Sequence, residues 1–145
     1  MRARPHHLID IITQYGAGQP FVPSDYGHAV HAVAAEVIGN PDVSIEFGVG
    51  ADDICFPCKH LIDGRCDDVI NYFDPPTSKQ DYNDALDEKL LEFLGMEEGQ
   101  VMSFREYVSV LRAHIEGLAE VCAHPGQAVE DRHSNLVAGL DKLDG

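Results

Sequence analysis

The sequence predicts a mostly α-helical protein with one short β-strand or hairpin and an irregular loop that carries cysteines. Three observations predict this class. Apolar residues recur at helical spacing in several segments, apolar and polar residues alternate strictly in residues 43–47, and residues 50–65 follow neither period. The 145 residues have the length of one ordinary domain. We therefore expect residues 1–145 to fold as a single compact domain.

The first half of the chain predicts two helices and one strand. Residues 4–13 favour a helix with a proline in its first turn, and Gly16 is expected to end it. Ser24 is a suitable N-cap for a second helix, whose apolar stripe runs to Gly39. The alternating residues 43–47 then predict a short strand, which leads into the cysteine loop.

The second half predicts further helices. Apolar stripes at helical spacing cover residues 82–94, 104–115 and 136–143, and residues 118–122 favour one short helical turn. Gly95 is expected to end the first of these helices. Ser103 and Glu106 form a capping-box pattern that opens the second. We interpret all of these stripes as core positions.

The charge of the chain excludes several classes of partner. The formal net charge is -15, from 25 acidic and 10 basic residues. Such a surface repels nucleic acid and anionic membranes, so we expect neither as a partner. The excess of acid serves solubility, and it also suits docking to a basic redox-partner protein. No apolar run approaches the roughly 20 residues of a membrane helix and no secretory signal is evident, so we expect a cytoplasmic protein.

The cysteine pattern is the most informative feature. Cys55 and Cys58 form a Cys-x2-Cys pair, and Cys66 follows after a loop with Gly64. Two thiolates three residues apart can hold one metal ion or one edge of a cluster, which favours a metal-binding domain. Zinc, copper(I) and iron–sulphur clusters all select such ligands, and the spacing does not decide between them. A thioredoxin-like redox pair or unrelated buried thiols are the alternatives.

A closed site needs a fourth ligand. Cys122 is the remaining thiol, and we favour it over the histidines near cysteines or in irregular stretches, which are His6, His7, His60, His124 and His133. His7 is expected close to the metal, as a ligand or as a donor to a ligand. His28 and His31 share a helical face and could chelate, although lining that face is the simpler role.

Familiar nucleotide-binding and catalytic signatures are absent from the sequence. Neither Gly16-x-Gly18 nor Gly48-x-Gly50 continues into a dinucleotide fingerprint. A phosphate-binding loop, a zinc-protease motif and a Gly-x-Ser-x-Gly elbow are also missing from the 145 residues.

Several motifs together resemble a known prokaryotic family. They are Arg4-Pro-His-His-Leu8, Tyr15-Gly-Ala-Gly18, Asp52-Asp-Ile-Cys55 with Cys58, Gly64-Arg-Cys66 and Val121-Cys122. In this order, from Arg4 to about Leu140, they resemble the domain of unknown function 1284 family. The resemblance implies an iron–sulphur cluster without naming a reaction. Members of the family often carry a cysteine where Asp10 stands here, and two more where Pro125 and His133 fall.

The leading hypothesis is a protein that binds a single iron–sulphur cluster, with 4Fe–4S favoured, for electron transfer or redox sensing. Its ligands are predicted to be Cys55, Cys58, Cys66 and Cys122, with His7 nearby. A structural zinc site in an interaction module is the alternative. A third hypothesis is a small metal-dependent enzyme in which Asp10 orients His7, since the two lie three residues apart on one helix.

Overall fold

The computed structural model describes residues 1–23, 27, 29–70, 75–123 and 126–144. These residues form six helices: α1 (Pro5–Gly16), α2 (Val30–Gly39), α3 (Lys79–Leu94), α4 (Phe104–Ala113), α5 (Leu118–Val121) and α6 (Val129–Asp144). The strands are short: β1 (Arg2–Ala3), β2 (Ser44–Phe47), β3 (Leu61–Ile62), β4 (Arg65–Cys66), β5 (Val69–Ile70), β6 (Thr77–Ser78) and β7 (Val101–Ser103). The predicted class, mostly α with a little β-structure in one compact domain, is confirmed.

Helices α1 and α6 make the most extensive contact between elements of the fold. Their backbones touch at two glycines. A Cβ atom on Gly139 would collide with the carbonyl oxygen of Ile12, and one on Gly16 would collide with that of Asn135. Only a residue without a side chain fits at each crossing point. This close crossing fixes α1, which carries the paired histidines, against α6.

A three-stranded sheet sets the start of α1 beside the cysteine loop. Strand β2 lies in the middle, parallel to β1 and antiparallel to β7. Its predicted alternation is confirmed, because Ile45 and Phe47 are fully buried while Ser44 and Glu46 are exposed. Since β1 runs directly into α1 and β2 leads into the loop, their pairing brings residues far apart in sequence together.

The second helix begins later than the sequence suggested. Its N-cap is Ala29, and Ser24 lies outside the described residues. Gly27 has a φ of 82°, which a right-handed helix does not contain. The backbone N–H of Ala29 donates to the carbonyl of Ile54 at 2.9 Å instead of to a preceding turn. A helix starting at Ser24 is therefore wrong for the part of this stretch that the structure describes.

The helix ends of the second half follow their capping residues. Ser103 Oγ accepts from the backbone N–H of Glu106 at 3.1 Å, which confirms the predicted helix start. Gly95 ends α3 with a left-handed φ of 69°. Helix α6 is longer than its predicted stripe because its first turns are polar. Among the helices of the described chain, none is long and apolar enough to cross a membrane.

The cysteine loop is more regular than predicted. Two hairpins of two-residue strands, β3–β4 and β5–β6, follow the Cys-x2-Cys turn. Asp63 and Gly64 make the first hairpin turn, both with positive φ. Two-residue strands carry too little alternation to be seen in a sequence, so the sequence predicts only an irregular loop here.

Candidate metal centre

Asp52 builds the turn that carries the first two cysteines. Its carboxylate accepts the backbone N–H groups of Ile54 at 3.0 Å and Cys55 at 3.1 Å. Its carbonyl accepts from Cys55 and Phe56, and Cys58 then donates to the carbonyl of Cys55 at 2.9 Å. This local bonding explains why an aspartate precedes the pair, since aspartate readily bonds backbone N–H groups just ahead of it.

The third cysteine is placed by a hairpin and by α3. Cys66 lies on β4 opposite Leu61 of β3. Its backbone N–H donates to the side-chain oxygen of Gln80 at 2.8 Å, and Gln80 is buried in the first turn of α3. The loop is therefore attached to the helical part of the fold at the cysteine itself.

All four cysteines line one cavity of about 530 Å³. Three of them, Cys55, Cys58 and Cys66, are half-buried and come from the loop, whereas Cys122 is buried at the end of α5. The same cavity is lined by both histidines of the Arg-Pro-His-His-Leu motif. Folding thus brings together every residue of the predicted ligand set, including His7, around a single space.

His7 is the histidine that lies beside the loop cysteines. Its Nδ1 atom is 2.8 Å from a carboxylate oxygen of Asp52. Ligand atoms of His7, Asp52 and Cys55 all lie within 4.8 Å of one another, a group that could hold a metal ion. Asp52 also accepts the backbone N–H of Arg4 at 2.7 Å, so its oxygens are fully occupied by donors. The carboxylate is thus better suited to orienting His7 and Cys55 than to binding metal itself.

The electrostatics of this group are strongly coupled. Burial would raise the pKa of the Asp52 carboxyl, but the charge and hydrogen bond of His7 outweigh it and hold that pKa well below its usual range. Burial, together with the negative charge of Asp52, raises the pKa of Cys55 to about 12. The metal-free protein therefore keeps Cys55 as a thiol, and a metal ion must displace its proton.

A second histidine in the cavity, His6, was named by the sequence only among the alternative fourth ligands. His6 Nδ1 lies 2.9 Å from both carboxylate oxygens of Asp87, which is fully buried on α3. Asp87 also accepts from Arg4 Nη1 at 2.9 Å. Burial would lower the pKa of His6, but Asp87 outweighs it and raises that pKa. Asp87 is 81 residues from His6, so no local pattern signals this pair.

Cys122 reaches the cavity beside a buried cation. Arg132 of α6 donates from Nε to Cys122 Sγ at 3.2 Å and from Nη2 to Asp10 at 2.7 Å. Burial raises the pKa of the Cys122 thiol, and Arg132 offsets only part of that rise. A thiolate formed here by metal binding would gain a charge-assisted hydrogen bond from the guanidinium.

The predicted pairing of His7 with Asp10 is wrong. Asp10 pairs with Arg132, and the carboxylate that orients His7 is Asp52 from the loop. The helical spacing of three residues was correct, but it does not decide which carboxylate the ring contacts. A buried arginine from α6 competes for Asp10, and such a long-range partner cannot be read from local spacing.

The other histidines considered as ligands stand apart from the cavity or outside the described residues. His60 pairs with Asp67 at 2.8 Å, and His133 does not line the cavity. His31 has a buried Nδ1 without a hydrogen-bond partner among the described residues. His28 and His124 lie outside the part of the chain that the structure describes.

Comparison with known protein families gives a match over most of the chain. The model described as "Protein of unknown function (DUF1284)" matches residues 23–125. The match includes the loop cysteines and Cys122, and it begins after the Arg-Pro-His-His-Leu motif at residues 4–8. Comparison with curated proteins and with solved structures finds no match.

Proposed function

The chain belongs to the DUF1284 family of proteins of unknown function, and we propose that it holds an iron–sulphur cluster, 4Fe–4S favoured, for electron transfer or redox sensing. The observation that carries the proposal is the cavity lined by Cys55, Cys58, Cys66 and Cys122. Three of these thiols come from one loop and the fourth from a distant helix. Four cysteines are the usual ligand number of such a cluster.

The spacing of the thiols favours a cluster over one ion. A tetrahedral zinc ion holds four sulphurs about 3.8 Å apart, because each lies about 2.3 Å from the metal. Within the described residues, the compact group that could hold a single ion contains one cysteine, Cys55. A cluster distributes its cysteine ligands over several iron atoms. Thiols spread around a cavity of about 530 Å³ suit that arrangement better.

Structural zinc remains the second candidate, because the group of His7, Asp52 and Cys55 within 4.8 Å is compact enough for one ion. That site would use one thiolate and one imidazole from the protein. It would leave Cys58, Cys66 and Cys122 to complete the set by a rearrangement of the loop. Zinc accepts such mixed sulphur and nitrogen ligation.

The residues around the thiols have distinct roles in this proposal. A bound cluster would supply one-electron chemistry, and the protein would hold its ligands and set its surroundings. Asp52 fixes the Cys-x2-Cys turn and the orientation of His7. Arg132 donates to the sulphur of Cys122, and hydrogen bonds to ligand sulphurs tune the potential of a cluster.

The proposed setting of the protein follows from its charge and its thiols. With a net charge of -15, we propose that its redox partner is a basic protein, attracted over a distance by the acidic surface. We further propose a cytoplasmic location, because that compartment keeps thiols reduced and available to metals.

Anaerobic purification with metal and sulphide analysis tests the proposal. We expect a brown protein that contains iron and acid-labile sulphide in comparable amounts. A colourless protein with one equivalent of zinc and no sulphide under the same conditions would contradict the cluster and support structural zinc. Reconstitution of the metal-free protein with iron and sulphide, against reconstitution with zinc, is the control for metal lost during purification.

A further inference from the structure

We propose that His6 and His7 form a second metal site, which binds one zinc or ferrous ion through their Nε2 atoms, separate from the four thiols. The two imidazoles lie on the wall of the same cavity as the cysteines. If Cys122 completes the cluster, neither histidine is needed there. The inference goes beyond the proposed cluster and can be tested independently of it.

Each ring is held by a buried carboxylate at one nitrogen. His6 Nδ1 contacts Asp87 at 2.9 Å, and His7 Nδ1 contacts Asp52 at 2.8 Å. Both carboxylates are at most 1% exposed. A carboxylate at Nδ1 keeps a proton on that atom, so a metal ion would bind at Nε2 and displace any proton there, and metal-binding histidines almost always have such a partner. Here two neighbouring histidines, His6 and His7, both have such a carboxylate.

The second nitrogen of His6 has no partner among the described residues. The side chain is only 8% exposed, and its hydrogen bonds run through Nδ1 alone. Since Asp87 occupies Nδ1, Nε2 is the nitrogen of His6 that remains for a ligand. Because His6 lines the cavity, that ligand would sit inside it.

The two rings converge, which neighbours on a helix do not normally do. Successive helical residues point about 100° apart around the axis. The ring centroids of His6 and His7 are nevertheless 4.4 Å apart, with the planes tilted by 52°. Asp87 from α3 and Asp52 from the loop draw them to the same wall. An ion bound to both would have its remaining positions open to water or a small ligand.

Imidazole nitrogen suits zinc and iron, whereas the thiols suit a cluster, so the two sites differ in ligand chemistry. The two buried carboxylates behind the rings strengthen the imidazoles as donors. Among the described residues, Asp87 pairs with Arg4 at 2.9 Å as well as with His6, and Asp52 pairs with His7 at 2.8 Å. The buried carboxylate behind each ring favours a cation at Nε2, while Arg4 and Arg132 are the nearby positive charges of the cavity lining.

Zinc is the probe. The cluster-loaded protein, washed with chelator, is titrated with zinc against a chromophoric competitor, and the zinc-loaded sample is studied by X-ray absorption. We expect one further equivalent of zinc, with nitrogen or oxygen neighbours at about 2.0–2.1 Å and no sulphur at about 2.3 Å. His6→Ala and His7→Ala should each weaken zinc binding at least tenfold, and His133→Ala should leave it unchanged.

Each outcome decides the proposal. Sulphur neighbours around the zinc, no additional equivalent, or unchanged binding in both His6→Ala and His7→Ala would overturn it. The wild-type absorption spectrum gives an answer even if His6→Ala fails to fold. Loss of iron and sulphide in the starting protein would instead count against the cluster, so the two failures are distinguishable.

Discussion

The Nδ1 atom of His7 lies 2.8 Å from a carboxylate oxygen of Asp52, and this contact ties helix α1 to the cysteine loop. The same carboxylate accepts the backbone N–H groups of Arg4, Ile54 and Cys55. A single buried side chain thus sets both the loop turn and a histidine of the cavity wall. Replacing Asp52 should therefore weaken metal binding by the centre, even though we do not assign Asp52 as a ligand.

Asp52→Asn should weaken metal retention by about 10- to 100-fold, the usual cost of losing a carboxylate behind a ligand. The amide has one accepting oxygen, so it can serve the N–H groups of Ile54 and Cys55 or that of Arg4 but not both, and it no longer supplies the charge that orients His7. The measurement is iron retained during dialysis against a chelator. Asp53→Asn is the matched control, because Asp53 also accepts a backbone N–H, from Arg2 at 3.1 Å, whereas the bonds to His7 and Cys55 belong to Asp52. Equal retention in both variants would contradict this role.

Cys58→Ser should remove most of the metal and loosen the loop while the helices persist. Metal binding stabilises the loop directly, since ligation and folding are coupled. Metal content and hydrogen exchange over residues 50–66 are the measurements. Phe56→Ala, an exposed change in the same turn, is the control and should retain its metal. Full metal content in Cys58→Ser would show that Cys58 is not a ligand.

Cys122→Ser should lose the centre or change its optical spectrum more than any histidine variant does. The comparison set is His7→Ala, His124→Ala and His133→Ala, measured for metal content and visible absorption. Cys122 lines the cavity, and Arg132 Nε lies 3.2 Å from its sulphur, where it would stabilise a thiolate. If His7→Ala alone destroys the centre, the ligands are three cysteines and one histidine, with a higher potential.

Asp87→Asn should destabilise the metal-free protein by about 3–5 kcal/mol near pH 5.5, because it leaves Arg4 and His6 without their buried partner. Burial would raise the pKa of Asp87, but His6 and Arg4 outweigh it and lower that pKa. Its contribution is therefore complete above about pH 3.9 and is lost as the pH falls through the lowered value.

The stability that His6 contributes depends on pH in the opposite direction from that of Asp87. The raised pKa of His6 means that its contribution is complete below about pH 6.5 and is lost as the pH rises through the folded value. The difference in unfolding free energy between wild type and Asp87→Asn should therefore peak between about pH 4 and pH 6.5. Urea unfolding across this range measures it. A difference that does not vary with pH would mean that the two groups are not coupled.

Gly139→Ala should destabilise the fold by about 3 kcal/mol, because its methyl group would meet the backbone of Ile12 where α1 crosses α6. Backbone cannot move aside as the end of a flexible side chain can. Gly39→Ala at the end of α2 is the control, since it has open space around its Cβ position. Urea unfolding of both proteins provides the test, and equal stability would contradict a tight crossing.

Local chemistry made much of this fold predictable. The cap at Ser103, the end of α3 at Gly95 and the alternation in β2 all depend on a few neighbouring residues, and each was correct. The start of α2 was not, because Ala29 bonds to Ile54 in the distant loop. The short hairpins around Cys66 contain too few residues to show a period.

The candidate site also has a part that local sequence predicts and a part that it does not. The grouping of Cys55, Cys58 and Cys66 follows from their spacing in one loop. Pairs such as His6 with Asp87 join segments more than 80 residues apart, and sequence spacing contains no information about them. The sequence does not show which carboxylate contacts His7, because Asp10 and Asp52 carry the same group. The structure decides it, since Asp10 pairs with Arg132 and Asp52 pairs with His7.

The lining of the cavity comes from two kinds of backbone. Cys122 and both histidines lie on helices or at a helix end that contribute to the core. Cys55 and Cys58 belong to a turn, and Cys66 belongs to a hairpin of two-residue strands, which is marginal by itself in water. We therefore expect the helices to form first in a newly synthesised chain. Insertion of the cofactor would then be a late step, which tightens a loop already attached through Asp52 and Gln80.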